Sequence, residues 1–257
     1  MSTHRDAVHA QFDARAAAYL SSSVHAAGPD LQRARELVSG VQPRPARALD
    51  LGCGAGHLSF ALAPLVGTVV ALDPSRGMLD QVAAEAAARG LGSIETLCSG
   101  AESLPFADAS VDLVATRYSA HHWTDLDAAM AEIRRVLAPG GHLLVIDLEA
   151  PADALVDTHL QAIELLRDRS HVRDRSDLEW RALLRQGGVE LLAMQRWSVR
   201  LEFAAWIARM RTPDAKMAVI RTMLDEAPAE VRAALQVEAD GSFSVFTGLW
   251  WGRRELA

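Results

Sequence analysis

An open α/β sheet, doubly wound with helices on both faces, is the fold this sequence predicts, and three observations predict it. Short apolar runs recur at 46–51, 68–73, 94–98, 111–116 and 142–148. Segments with helical periodicity separate several of them, at 57–66, 75–89 and 126–137. The runs are too continuously apolar to leave one side in water, which marks parallel strands covered on both faces. Their alternation with helices then reads as βαβ units with right-handed crossovers.

Taken in order, residues 1–45 are Ala-rich and helical in period, with Phe12, Ala16, Tyr19 and Leu20 on one modest apolar face. Gly28-Pro29 and Pro43/Pro45 read as loop, so this stretch is expected to be a helical segment ahead of the main domain. Within 126–137, Leu126, Met130, Ile133 and Leu137 step by four, three and four and share one helix face. Pro139-Gly140-Gly141 ends that helix and turns the chain into the next strand. Beyond residue 150 helical stretches dominate to about Gly187, with Ser176 and Glu179 at the spacing of a capping box. A strand over 189–201, a helical block over 203–235 and a final strand over 243–252 complete the reading. No repeat or low-complexity linker intervenes. The expectation is one domain over 46–257 that carries a helical cap insertion at about 203–240.

Composition narrows the function. The chain has 257 residues, half of them hydrophobic, and a formal net charge of −7. A hydrophobic fraction of that size excludes a disordered chain, and no apolar run reaches the ~18 residues of a membrane helix. The acidic balance, with Lys216 the sole lysine, provides no basic stripe for nucleic acid. Cys53 and Cys98 cannot make a disulfide framework. With no apolar core of a secretory signal at the start, a cytoplasmic location is expected.

The strongest chemical signal is Asp50-Leu51-Gly52-Cys53-Gly54-Ala55-Gly56, between a strand and a helix. Glycines there permit positive φ and let the backbone approach a ligand, and the amides at the helix start attract an anionic group. The second strand ends in Asp73, whose carboxylate has lone pairs enough to accept both hydroxyl protons of a ribose. The plain alternative is that Asp73 caps the next helix. A dinucleotide fingerprint would be G-x-G-x-x-G, with a glycine where this chain has His57. The G-x-G-x-G spacing with Asp50 ahead of it suits a ligand with ribose at one end and an amino-acid group at the other.

At these residues the sequence resembles the class I S-adenosylmethionine (SAM)-dependent methyltransferases, in particular the small-molecule branch that includes the ubiquinone and menaquinone C-methyltransferases. The matching stretches are ALDLGCGAGHLSFALA, VVALDPSRGMLDQ, GAESLPFADASVDLVATRYSAHHW and IRRVLAPGGHLLVIDL. The resemblance implies a Rossmann-like seven-stranded sheet, mostly parallel with the last strand antiparallel, and helical lid insertions, with residues 1–45 acting as an N-terminal helical lid. It implies that Gly52, Gly54 and Gly56 wrap the methionine part of SAM with Asp50 beneath the turn, and that Asp73 holds the ribose hydroxyls. Pro74 and Met78 would pack near the adenosine, Ala101 and Glu102 would border adenine, and Arg117 would place backbone against the methionine amino group. Many relatives have Asp where this chain has Gly100, so Glu102 or a backbone carbonyl would take over the adenine amino group.

Methyl transfer from a sulfonium needs no metal, and none is expected. Alignment of nucleophile, methyl and sulfur can supply roughly 7–11 kcal/mol, and a base adds rate where the acceptor is a phenol or activated carbon. His121 and His122, after the fourth strand, are the candidate bases. Against that stands the reading that one packs and the other bonds a backbone carbonyl. Tyr19 and His25, in the N-terminal segment that in relatives folds over the cofactor, are further candidates for the proton transfer, Tyr19 as a catalytic residue; a purely structural lid without proton transfer is the alternative for them. Trp123 reads as packing. The charged stretch Arg167, Arg169, His171, Arg173, Arg175 looks like an anion site, but Asp168, Asp174, Asp177 and Glu179 interleave with it, so it reads as a solvated face with local ion pairs. Trp206, Met210, Arg211 and Pro213 are candidates to line an acceptor pocket, with helix packing the plain reading for most.

The expected activity is therefore methyl transfer from SAM to a small, apolar or aromatic acceptor at O or C, with the oligomeric state left open and a homodimer one option. Two rivals stand beside it. One is a SAM-binding regulatory or scaffold protein without turnover; the other is a nicotinamide-dependent dehydrogenase, which the glycine spacing disfavours. No Asn/Asp-Pro-Pro-aromatic tetrapeptide follows the fourth strand, where Arg117-Tyr118-Ser119-Ala120 stands instead, so a macromolecular acceptor is not expected.

Overall fold

The computed structural model describes residues 28–256. The helices are α1 (Pro29–Ser39), α2 (His57–Leu62), α3 (Arg76–Ala88), α4 (Leu126–Val136), α5 (Ala154–Arg167), α6 (Asp177–Gln186), α7 (Phe203–Met210), α8 (Asp214–Asp225) and α9 (Ala229–Ala234). The strands are β1 (Arg47–Leu51), β2 (Thr68–Asp73), β3 (Ile94–Cys98), β4 (Val111–Arg117), β5 (Leu137–Glu149), β6 (Val189–Leu201) and β7 (Phe243–Arg254). They form one seven-stranded sheet in the order β3-β2-β1-β4-β5-β7-β6. β1 to β5 pair in parallel, and β7 runs antiparallel to both β5 and β6. The doubly wound sheet with an antiparallel last strand is the expected one.

Strand periodicity assigns the two cores. Leu49, Leu51, Val70 and Leu72 point to one face, against Met130 and Ile133 of α4 and Trp180 of α6. Ala48, Val69, Leu113 and Leu144 point to the other, against Leu31 and Val38 of α1 and Leu58 and Leu62 of α2. Each fully buried Leu or Ile contributes about 1.5–3 kcal/mol relative to exposure. The ends of the helices are chemically set. Asp125 accepts from the Ala128 amide to cap α4, and Ser176 and Glu179 form the expected capping box of α6.

Two local expectations change. Gly28-Pro29 opens a helix instead of a loop, because Pro29 occupies the first turn, where a missing N–H costs nothing. α1 also packs its Leu31, Ala34 and Val38 into the sheet's own core, so 29–39 is part of the covering layer and no separate lid. The block after β6 folds as three helices whose Trp206, Ile220, Leu224 and Val231 form a cap core with Leu160 of α5 and Phe243 of β7.

Strand order reverses between β1 and β4, since β2 and β3 lie to one side and β5, β7 and β6 to the other. The loops leaving the carboxyl ends of β1 and β4 therefore part, and a crevice opens between them. Trp206 and Arg209 of the helical block after β6 line it.

Candidate active site

A cavity of about 620 Å³ fills that crevice, a volume ordinary for a small-molecule site. Its near wall is the turn after β1. Gly52 and Gly54 have φ of +64° and +50°, and Gly56, at +85°, is the N-cap of α2. A Cβ on Gly52 would lie 1.8 Å from Ser119 Oγ, whereas one on Gly54 would meet no protein atom within 4 Å. The first glycine is required by packing, and the second leaves open space before the turn.

Two carboxylates hold this turn. Asp73 Oδ2 accepts from the Gly54 amide at 2.9 Å and Oδ1 from the Ser75 amide at 2.8 Å. It thus ties the tip of β2 to the glycine turn, while Ser75, not Asp73, caps α3 by accepting from the Met78 amide. Asp50 is buried at the end of β1, and its Oδ2 accepts from Ser59 Oγ at 2.6 Å. Its Oδ1 is buried with no hydrogen-bond partner among the described residues. Burial pushes the Asp50 pKa up to about 7, with the Ser59 bond working against the rise and Asp73 adding to it. Farther along the wall, Pro74, Met78, Gly100, Ala101 and Glu102 all line the cavity, and Glu102 accepts from Thr124 Oγ1 at 3.3 Å.

Past β4 the chain tightens. Tyr118 adopts φ of +52°, a strained value for an aromatic residue, and its hydroxyl shares a 3.1 Å hydrogen bond with Thr247 Oγ1. Arg117 Nε donates to Asp30 of α1. Trp123 is buried, donates Nε1–H to Ser119 Oγ and lines the cavity as well, so it packs and borders the site at once.

His121 and His122 both reach the cavity on the turn Ala120–His122. His121 Nδ1 meets Asp147 Oδ1 at 2.6 Å, and the His121 amide donates to Oδ2 of the same carboxylate at 3.1 Å. Burial alone would lower its pKa, but the charge and hydrogen bond of Asp147, together with the charges of Asp174 and Glu164, outweigh burial and raise it to about 9. His122 Nδ1 lies 3.0 Å from the Ser170 carbonyl, which only an N–H can satisfy, so Nδ1 carries the proton. Burial and the neighbouring His121 lower the His122 pKa to about 4. Of the pair, one does bond a backbone carbonyl, and the other has its own buried acid.

The charged run 167–175 is not a solvated face. Asp168, Ser170, His171 and Asp174 are all buried. The segment is stitched beneath the site: the Val172 and Arg173 amides donate to the His121 carbonyl, and the Ala150 amide donates to the Arg175 carbonyl. Asp168, Ser170 and Asp174 turn inward while Arg169 stays exposed. That alternation of acid and arginine was the available signal, and it reads as ion pairing until the partner surface is known. Asp147 and Glu164 also escaped sequence reasoning, because nothing local separates a strand-end or helix acid that faces a cavity from one that faces water. His121, Asp147 and Asp174 bring one potential metal-ligand atom each to within 4.8 Å of one another, although His121 and Asp147 already bond each other.

From the cap, Trp206 and Arg209 line the cavity together with Arg167 and Leu201. Met210 is buried and Arg211 exposed, and neither lines it. Pro213 precedes α8. Tyr19 and His25 lie outside the described residues. Among the described residues no helix is long and apolar enough to cross a membrane.

Comparison with known proteins adds the following. The family described as "Methyltransferase domain" matches residues 49–145. An uncharacterized protein, YafE, of Escherichia coli K12 is 44% identical over 75% of this chain and 93% of its own length. The uncharacterized methyltransferase YcgJ of Bacillus subtilis is 36% identical over 72% and 74%. Its solved structure superposes with a TM-score of 0.84 over 89% of this chain and 99% of that one. A ubiquinone/menaquinone biosynthesis C-methyltransferase of Teredinibacter turnerae is 36% identical over 47% of this chain and 49% of its own length, so the likeness to that branch covers about half of each.

Proposed function

Because the chain belongs to the class I SAM-dependent methyltransferases, as the relatives and the sheet agree, we propose that it methylates a small, apolar or aromatic acceptor at oxygen or carbon. The nicotinamide alternative falls with the family. The observation that carries the reading is that one cavity runs from the glycine turn and Asp73 to His121 and the cap.

The residues present fit SAM. Asp73 has two carboxylate oxygens, each taking one amide, and an ionised carboxylate has lone pairs beyond those for ribose hydroxyls. The buried Oδ1 of Asp50 suits the ammonium of a methionine moiety. The open space before Gly54 admits a ligand against the backbone. Pro74, Met78 and Ala101 present the apolar surface that an adenine ring needs, and Glu102 lies beside them. SAM, when bound, supplies an electrophilic methyl on a sulfonium.

The chain's own part is alignment and proton handling. Leu148, Val199, Leu201 and Trp206 give the acceptor end apolar walls that exclude water. His121 receives the acceptor's proton on its cavity side, and Asp147 holds the ring and stabilises the imidazolium that forms. A pKa of about 9 makes His121 the strong base of the two histidines and charged at neutral pH, so turnover rises with pH toward that value. His122, with its pKa near 4, stays neutral and anchors the turn on Ser170.

Calorimetric titration with S-adenosylhomocysteine (SAH), the demethylated cofactor, tests the reading. Micromolar binding that Asp73→Ala weakens by tenfold or more (about 1.4 kcal/mol) is expected. No binding, or binding indifferent to Asp73→Ala, would overturn it. A regulatory role without turnover predicts the same binding and no methyl transfer to phenols or activated carbon acids, so a screen with labelled SAM separates the two.

A further inference from the structure

Asp174 is fully buried in the loop between α5 and α6, and neither of its carboxylate oxygens has a hydrogen-bond partner among the described residues. One of those oxygens lies within 4.8 Å of a ring nitrogen of His121 and of a carboxylate oxygen of Asp147. A buried carboxyl without hydrogen bonds destabilises a fold, so its presence here calls for a reason other than packing.

The position of Asp174 is fixed by one side chain, Gln161 of α5. Gln161 Oε1 accepts from the Asp174 amide at 3.1 Å, and Gln161 Nε2 donates to the Asp174 carbonyl at 3.0 Å. These two backbone groups settle which end of the Gln161 amide is oxygen. Nε2 also donates to Asp157 Oδ1, one turn back on α5, at 2.8 Å. Oε1 also meets His171 Nε2 at 2.8 Å, so that ring nitrogen carries a proton. Every donor and lone pair of the Gln161 amide is thereby used.

Several charged groups surround His121. Asp147 comes from β5, Glu164 and Arg167 from α5, and Asp168, His171 and Asp174 from the loop, with His122 beside it. Asp147 bonds His121 itself, Glu164 pairs with Arg167, and Asp168 accepts from Ser170. Arg173 turns instead to Asp157 and Glu179. Of the four acids only Asp174 has neither oxygen bonded among the described residues. Burial and the charge of His121 lower the pKa of His122 to about 4 and that of His171 to about 3, which leaves His121 the charged imidazole of the three. Burial holds the Asp174 carboxyl well above the ordinary carboxylate range, and the charge of His121 works against that rise. The carboxylate form of Asp174 and the imidazolium of His121 therefore favour each other.

We infer that Asp174 is a positioning residue for methyl transfer, a second acid that Gln161 holds beside His121 to stabilise the imidazolium formed when His121 takes the acceptor's proton. The inference rests on the methyltransferase reading above and adds two residues to the support of the same site. Neither residue lines the cavity.

Asp174→Asn keeps the shape of the side chain and removes its charge. In the full-length variant the His121 titration, followed by NMR, is expected to move down by about one unit, and the alkaline rise of the methylation rate to move down with it. The melting temperature stays level or rises, because a buried unbonded carboxyl is gone, and SAH affinity is unchanged. Gln161→Leu releases Asp174 and shifts the His121 titration the same way, but adds no further shift in the Asp174→Asn background. A His121 titration unmoved by Asp174→Asn would overturn the inference and leave the methyltransferase reading standing. So would a melting temperature that falls while the pH profile stays put, since that marks a structural role only. Failure of the unmodified protein to bind SAH brings down that reading and this one together.

Discussion

Arg117 Nε donates to Asp30 Oδ2 at 2.6 Å, with each side chain only 6% exposed. The contact clamps the end of β4, where the cavity opens, to the first turn of α1 across 87 positions of sequence. Asp30 gains as well from the positive end of its helix. Asp30→Ala takes this partner from a buried guanidinium and is expected to cost about 3–5 kcal/mol in urea denaturation. Asp30→Ala combined with Arg117→Met restores much of that loss. Equal stability of wild type and Asp30→Ala would show that the clamp is incidental.

His121 links stability to pH in one direction. Its folded pKa, about 9, stands above the ordinary 6.5, so its contribution is complete below about pH 6.5 and lost as pH rises through 9. The difference corresponds to about 3 kcal/mol. Asp147→Asn removes the carboxylate, so the His121 titration followed by NMR falls by two units or so, toward or below 6.5. The alkaline rise of the methylation rate moves down with it. A His121 resonance that titrates near 6.5 in the unmodified protein would refute this account.

The two glycines of the turn separate packing from binding. Gly52→Ala meets Ser119 Oγ at 1.8 Å and is expected to lower the melting temperature steeply. Gly54→Ala meets no protein atom, and its positive φ costs about 1–2 kcal/mol for an L residue. Its methyl stands in the space where the cofactor is proposed to lie, so SAH affinity falls more than stability does. A Gly54→Ala variant with full SAH affinity would move the cofactor away from this turn.

Asp50 sets stability against function. Its folded pKa of about 7 lies above the usual 3.8, so the protein loses stability as pH rises from about 4 through 7 and the buried carboxyl ionises. Asp50→Asn keeps an acceptor for Ser59 but never ionises. The variant is expected to melt higher than wild type at pH 8 and to bind SAH about tenfold more weakly, since a charge-assisted bond to the ammonium is lost. A variant that gains nothing in melting temperature would contradict the pKa.

The sheet was legible because strand burial leaves a mark in every residue. Leu49 and Leu51 alternate with Ala48 across one strand, and Leu126, Met130 and Ile133 return on one helix face. The cofactor end was legible for a related reason: a turn with three positive-φ glycines after a strand can be written in few ways. The acceptor end was not. Asp147, Glu164, Asp168 and Asp174 come from a strand end, a helix and a loop, and each is unremarkable in its own window. The run 167–175 shows the difficulty directly. Alternating charges in a polar segment carry the same signature on a wet surface and over a buried floor.

By itself, then, the sequence determined the sheet, its glycine turn and Asp73 at the tip of β2, because local periodicity and backbone conformation encode those features within a few residues of each other. Only the tertiary structure decided that Asp30 meets Arg117, that His121 is paired with Asp147 while His122 is held neutral on Ser170, and that Glu164 and Arg167 pair with each other beside the cavity. Burial shifts a pKa or orphans a polar atom through everything packed around it, and those neighbours come from the whole chain.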